Sequence, residues 1–420
     1  LSAVMFSALL LASCSDIDNQ EYAGGAISGE QSQETNSAIP SRTKATFAGM
    51  FTLIGDPCHN YQTHFSDTRP DDFGFVMSAI SLDLEGADMS MQDNGYNWFS
   101  ASDELSSRNA NYANPYVRYV IPYTSLGIAN DIINAFPADT KDAEAINMIA
   151  QAKTIRAFDY LSLAPYFQGS YQTSKDKPCV PLLDGKNDYT NNPRATVAEV
   201  YTAIIDDLSY AIDNLTDARE DKSRINKSVA LGLRARAYLY MGEYAKALVD
   251  AEAAMKGYTP ASLADVSVPG FDDSSASNWM WTYDLTDDQV ASAAASYATA
   301  ASWMSAFCGQ GYAVATGNVP MINKLLYDKI PATDVRKGWW LDENLHSPLL
   351  ANLEWKDSKG NVLAKGDAIA PLKIKDVKEP LVAYANVKFG MKSGVGSSKN
   401  NNSWPLMRVE EMILIEAECL

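Results

Sequence analysis

Residues 226–255, NKSVALGLRARAYLYMGEYAKALVDAEAAM, set the fold class. Ala230, Leu233, Ala237 and Tyr240 recur three or four positions apart, so on a helix they share one face. Gly242 interrupts the stripe, and a second one resumes as Tyr244, Ala247, Leu248, Ala251 and Met255. Two apolar stripes separated by one glycine predict a pair of helices folded back on each other. Alanine and glycine at the packing positions allow their backbones to approach closely.

The pattern extends upstream. Val197, Val200, Ile204, Leu208, Ala211 and Leu215 form another stripe, opened by Thr196 and Glu199. That pair is spaced as a capping box, in which hydroxyl and carboxylate satisfy amides that the first turn leaves unpaired. Ala145, Met148, Ala152 and Ile155 mark a further helix running toward Pro165, and residues 406–420 begin one more, on which the sequence looks truncated. The run from Gly242 to Ala247 resembles the hinge of a tetratricopeptide repeat. Polar, aromatic-rich tracts lie at 59–114 and 258–404, and residues 353–362 read as a β-hairpin. Function is expected in these tracts, because rigid helices commonly present the loops that bind.

Composition narrows the chemistry. With 46% hydrophobic residues in 420, the chain can bury a large core. A formal charge of −18 disfavours attraction to phosphate backbones, so nucleic acid is excluded as an expected partner. Three histidines (His59, His64 and His346) leave little material for imidazole chemistry. Cys58, Cys179, Cys308 and Cys419 are scattered singly, which fits neither a disulfide scaffold nor a zinc site. No metal or cofactor is expected. No Gly-x-Ser-x-Gly elbow, Walker A loop, dinucleotide glycine pattern or His-Glu-x-x-His occurs, and adjacent acids such as Asp71-Asp72 and Asp206-Asp207 arise by chance among 52 carboxylates. The chain reads as non-enzymatic.

The amino terminus reads as an address. Residues 1–12, LSAVMFSALLLA, are apolar but too short to span a bilayer, and residues 11–14 (LASC) have the form of a lipobox. Residues 1–13 are therefore expected to be a lipoprotein signal, truncated at its start, and Cys14 the lipidated first residue of the mature chain. Residues 14–42 read as a flexible tether too polar to fold alone, and residues 43–420 as one domain. Several acyl chains hold a protein firmly at a membrane without a spanning helix.

Several segments taken together resemble the SusD/RagB family of Bacteroidota outer-membrane lipoproteins. AKTIRAFDY at 152–160 followed by PCVPL at 178–182, the helix from Arg194 to Leu215, and the hairpin at 226–255 carry the likeness. So do DVRK at 334–337 with Trp339 and Trp340, and MRVEEMILIEAE at 407–418. YFQG at 166–169 only approximates the family's Tyr-Gly, and the family's carboxy-terminal region is missing. The resemblance implies a mainly α-helical scaffold of tetratricopeptide-like hairpins with long loops and short β-hairpin insertions, truncated at its carboxy-terminal end. It also implies a place on the cell-surface side of the outer membrane, covering a SusC-type TonB-dependent transporter. The acidic residues after Cys14 resemble the surface-export signal of such lipoproteins.

Sugar faces stack on aromatic rings while amides and charges bind the hydroxyls. Tyr96, Asn97, Trp98 and Phe99, held behind the turn-forming Asp93-Asn94-Gly95, are the first candidate contacts. Trp279 and Trp281 are the second, since residues two apart share a face on a strand. Trp339-Trp340 read as structural. The expected activity is capture of an oligosaccharide or polysaccharide for the transporter. The alternatives are a peptide-capturing lid of the RagB type, a repeat scaffold binding only proteins, and a surface glycosidase.

Overall fold

The computed structural model describes residues 35, 38–55, 74–91, 99, 102–109, 113–186, 191–285, 304–309, 319–372, 381–399 and 401–420. Cys14, Cys58, His59, His64, Tyr96, Asn97 and Trp98 lie outside the described residues. Within them the helices are α1 (Pro40–Met50), α2 (Gly74–Glu85), α3 (Ala113–Asn134), α4 (Ala143–Phe167), α5 (Tyr171–Ser174), α6 (Val197–Asn214), α7 (Lys227–Met241), α8 (Tyr244–Ala254), α9 (Lys324–Lys329) and α10 (Val409–Cys419). The strands are short: β1 (Met89–Ser90), β2 (Trp279–Asp284), β3 (Met321–Ile322), β4 (Glu354–Lys356), β5 (Val362–Lys365) and β6 (Ser403–Arg408). They pair antiparallel as β1–β3, β2–β6 and β4–β5. The fold is mainly helical, as the stripes predict, and none of the described helices is long and apolar enough to cross a membrane.

Helix α4 is the central post. Asp142 caps it, its Oδ1 accepting the Glu144 amide at 2.9 Å. Ala150, Ala152, Ile155, Phe158 and Leu161 bury most of its circumference between α3 and α6. Asp207 on α6 binds it through charge. Its two oxygens accept Arg156 Nε and Nη2 at 2.7 and 2.8 Å and Lys153 Nζ at 2.7 Å, while Arg156 Nη1 reaches Asn130 on α3 at 2.7 Å. A planar guanidinium that bonds a carboxylate through two parallel N–H groups fixes orientation as well as distance.

The capping box of α6 is formed: Thr196 Oγ1 accepts the Glu199 amide at 3.2 Å, and Glu199 Oε2 accepts the Thr196 amide at 2.7 Å. The α7–α8 hairpin turns where expected. Gly242 has φ +75°, a left-handed conformation that side chains resist, and the Gly242 and Glu243 amides donate back to Leu239 and Tyr238. Helix α8 is tied to α7 by Arg234, whose Nε and Nη2 meet Asp250 at 2.7 and 2.9 Å.

The structure corrects the last predicted helix. Residues 403–408 form β6, and α10 starts at Val409 rather than Leu406. The competing requirement comes from β2, a strand buried along nearly its whole length, whose backbone groups must find partners away from water. Pairing Trp281 with Met407 and Tyr283 with Trp404 provides them. The β4–β5 hairpin starts in the expected stretch and runs past it to Lys365, its turn held by Asp357 Oδ1, which accepts the amides of Lys359 and Asn361 at 2.9 Å each.

Two apolar clusters result. The larger unites the helices with β2 and β6; the smaller is built from residues between Ala306 and Val395.

Candidate functional site

The β1–β3 pair brings the end of α2 against a segment more than 200 residues later in the chain. Met89 pairs with Ile322 and Ser90 with Met321. Asn323 clamps the junction, its amide donating to Asp88 O and its Nδ2 to Ala87 O, both at 2.9 Å. The same Asn323 caps α9 by accepting the Leu325 amide at 2.9 Å.

Between these segments lies a cleft of about 600 Å³. Leu82, Asp83 and Asp88 form one wall; Asp334, Trp339 and Trp340 contribute to the other. A second cleft of about 440 Å³ adjoins it, lined in part by Tyr327 and His346, and both share Asp334 and Trp340. Trp340 therefore borders both spaces. The two form a groove with an aromatic divider.

The divider is held by local chemistry. Asp334 caps a 3-10 turn at Val335–Trp339, its Oδ1 accepting the Arg336 amide at 2.9 Å and its Oδ2 meeting Arg336 Nη2 at 2.6 Å. The guanidinium, seconded by that amide, holds the Asp334 carboxyl down at about 2. The turn fixes Trp339, whose Nε1 donates to Val266 O at 2.9 Å and whose carbonyl accepts the Val387 amide at 2.9 Å. Trp339 and Trp340 are both half-buried, so each keeps part of its ring surface accessible. Across the cleft, burial pushes Asp83 up from its ordinary value, Lys388 partly opposes this, and Asp88 adds to it.

The structure separates the sequence candidates. Phe99 is fully buried in the larger core, so its ring packs the scaffold. Trp279 and Trp281 are 1% and 0% exposed, which corrects the reading of them as a platform. A register shift between them breaks simple alternation, and the strand is buried on both sides. Trp281 donates Nε1 to Ser223 O at 3.2 Å and meets Phe158 edge to face at 5.0 Å. Whereas Trp279 only borders a smaller space of about 150 Å³, Trp339 and Trp340, read in the sequence as structural, line the 600 Å³ cleft. Their neighbours Asp334 and Arg336 carried the signal, because a capped turn presents the residues that follow it.

Comparison with known proteins agrees with this architecture. A family model described as "Starch-binding associating with outer membrane" (SusD-like) matches residues 75–239, from α2 into α7. A SusD-like protein of Bacteroides ovatus is 30% identical over 123 residues, a stretch covering 28% of this chain and 21% of that one. A solved SusD-like carbohydrate-binding protein from Bacteroides vulgatus superposes with a TM-score of 0.66 at 20% identity, over 90% of this chain and 71% of that one. A SusD superfamily structure from Bacteroides thetaiotaomicron gives 0.62 at 19%, over 90% and 75%. A structure described as a laminarin-binding SusD-like protein gives 0.57 at 15%, over 90% and 80%. The fold is that of a helical-repeat scaffold carrying a loop-built cleft. Residues 75–239 match the SusD-like family model, and the chain has the fold of the solved SusD-like proteins.

Proposed function

We propose that this protein captures a glycan at the outer face of the outer membrane and passes it, without chemical change, to a SusC-type TonB-dependent transporter. The supporting observation is the groove divided by Trp340 in a chain matched, over residues 75–239, by a starch-binding family model. Half-exposed indoles beside carboxylates and a guanidinium combine stacking surface with hydroxyl-binding groups. Two adjoining spaces sharing one tryptophan suit an extended oligosaccharide, with successive sugars on either side of the divider. Cys14 is the proposed lipid anchor, and Trp98 a further contact from the loop after Gly95.

A glycan array probed with the chain from residue 15 onward, beside Trp340→Ala and Trp98→Ala, tests this. Retention of a polysaccharide by the parent and its loss in Trp340→Ala is expected. A folded parent that retains none of the panel overturns the capture of glycan and favours a peptide ligand. Co-purification of a large β-barrel with the lipidated chain tests the transporter.

A further inference from the structure

Behind the cleft wall, Lys388 has an unusual setting. Its Nζ lies 4.4 Å from the centre of the Phe271 ring, 4.5 Å from that of Trp339 and 5.1 Å from that of Phe389. Among the described residues no carboxylate comes within ion-pair distance of it. The cage is deliberate in construction. Phe271 takes a left-handed backbone at φ +57°, rare for an aromatic residue, and meets Trp339 and Phe389 at 5.9 Å each. Paired amides lock its frame, Gly270 to Lys388 O at 2.9 Å and Gly390 to Gly270 O at 2.7 Å. Cations are attracted to the negative faces of aromatic rings, most strongly to indole.

Only one of those three rings reaches the cleft, and it is Trp339. We propose that Lys388 is a positioning residue, whose charge fixes the indole of Trp339 as a wall of the ligand cleft. This rests on reading the Trp339 cleft as the capture site. A methylene side chain of equal length would fill the same space, so the charge itself needs a reason. The charge is also costly. Burial, aided by Arg408, lowers the Lys388 ammonium to about 8, with Asp83 on α2 and Glu410 on α10 opposing. Among the described residues those three are the charges that act on Nζ, and Arg408 also lies 5.0 Å from the centre of the Phe271 ring. As pH rises through that value the cage loses its cation, and the indole of Trp339 keeps only its Nε1 bond to Val266 O and its ring packing.

The test needs no ligand. Protein labelled with 5-fluorotryptophan is followed by fluorine NMR, with Trp339→Phe assigning the Trp339 resonance. The expected result is a resonance that titrates with a midpoint near pH 8 in the parent. It should stay at its low-pH position in Lys388→Arg, and at a different, pH-independent position in Lys388→Met. Thermal unfolding confirms that each variant is folded, and Lys388→Arg carries the comparison alone if Lys388→Met is not. A Trp339 resonance that is flat with pH in the parent, or unchanged by both substitutions, overturns the proposal. Absence of glycan binding on the array overturns the capture reading, and leaves this result to stand or fall by the resonance.

Discussion

Arg236 on α7 grips Glu411 on α10 through two bonds, Nε to Oε1 at 2.7 Å and Nη2 to Oε2 at 2.9 Å. The pair joins the helical hairpin to the last helix across most of the second half of the chain. Removing the carboxylate leaves a largely buried guanidinium without its counter-charge, a change whose cost exceeds the net worth of the pair. Glu411→Ala should therefore destabilise by roughly 2–3 kcal/mol in urea unfolding. The double variant with Arg236→Met should recover part of the loss, and a double variant worse than the sum of the singles would count against this account.

Trp281 and Trp340 should behave in opposite ways. Trp281 fills the core at 0% exposure, so Trp281→Ala should cost about 3–5 kcal/mol of stability. Trp340→Ala removes a half-exposed ring and should leave the melting temperature within a few degrees. Its effect should appear as a loss of about tenfold in glycan affinity, the size expected for one stacking contact.

Asp159 on α4 is 5% exposed, and its Oδ2 has no hydrogen-bond partner among the described residues. Burial raises its carboxyl well above the ordinary value, with a hydrogen bond from Ser125 opposing. The folded state then holds a proton that the unfolded chain releases near its ordinary value, so stability from this group falls as pH rises from about 4. Asp159→Asn should flatten that slope and raise the melting temperature at pH 7. Parallel curves for parent and variant between pH 4 and 7 would remove Asp159 as the source.

Thr196→Ala should lower stability by about 1 kcal/mol, the usual effect of losing a helix cap. Glu199 gives the pH signature. The amide and hydroxyl of Thr196 hold its carboxyl below the ordinary value, so its contribution is present above that value and lost as acid protonates it. Thr196→Ala removes the hydroxyl but keeps the amide, so it should reduce this acid-side loss without abolishing it, seen as a shallower decline in melting temperature below pH 5.

The helices were legible because their signals are local. The Thr196–Glu199 spacing, the Gly242 break and the stripe from Val197 to Leu215 all report on residues within one or two turns of each other. The strand at 403–408 was not legible in the same way, since its partner β2 lies more than 100 residues earlier and Met407 fits a helical stripe as well as a strand. The cleft was hidden for the same reason. Nothing near Asp83 in the sequence announces that β1–β3 pairing sets it opposite Trp339. Trp279 and Trp281 misled because spacing alone cannot separate a strand with one wet face from a strand buried on both.

The β2–β6 ladder has one more consequence. By joining Asp284 to Ser403 it closes the neck of a long excursion that leaves the helical scaffold and returns to the same point. That excursion holds the smaller apolar cluster, Ala306 to Val395, and with it Trp339, Trp340 and Lys388. Ends so close together, above a core of their own, are the conditions under which one segment can be exchanged for another without unravelling its host. The scaffold thus works as a socket: α2 and the turn after it supply one jaw with Asp83 and Asp88, and the excursion supplies the jaw that faces it.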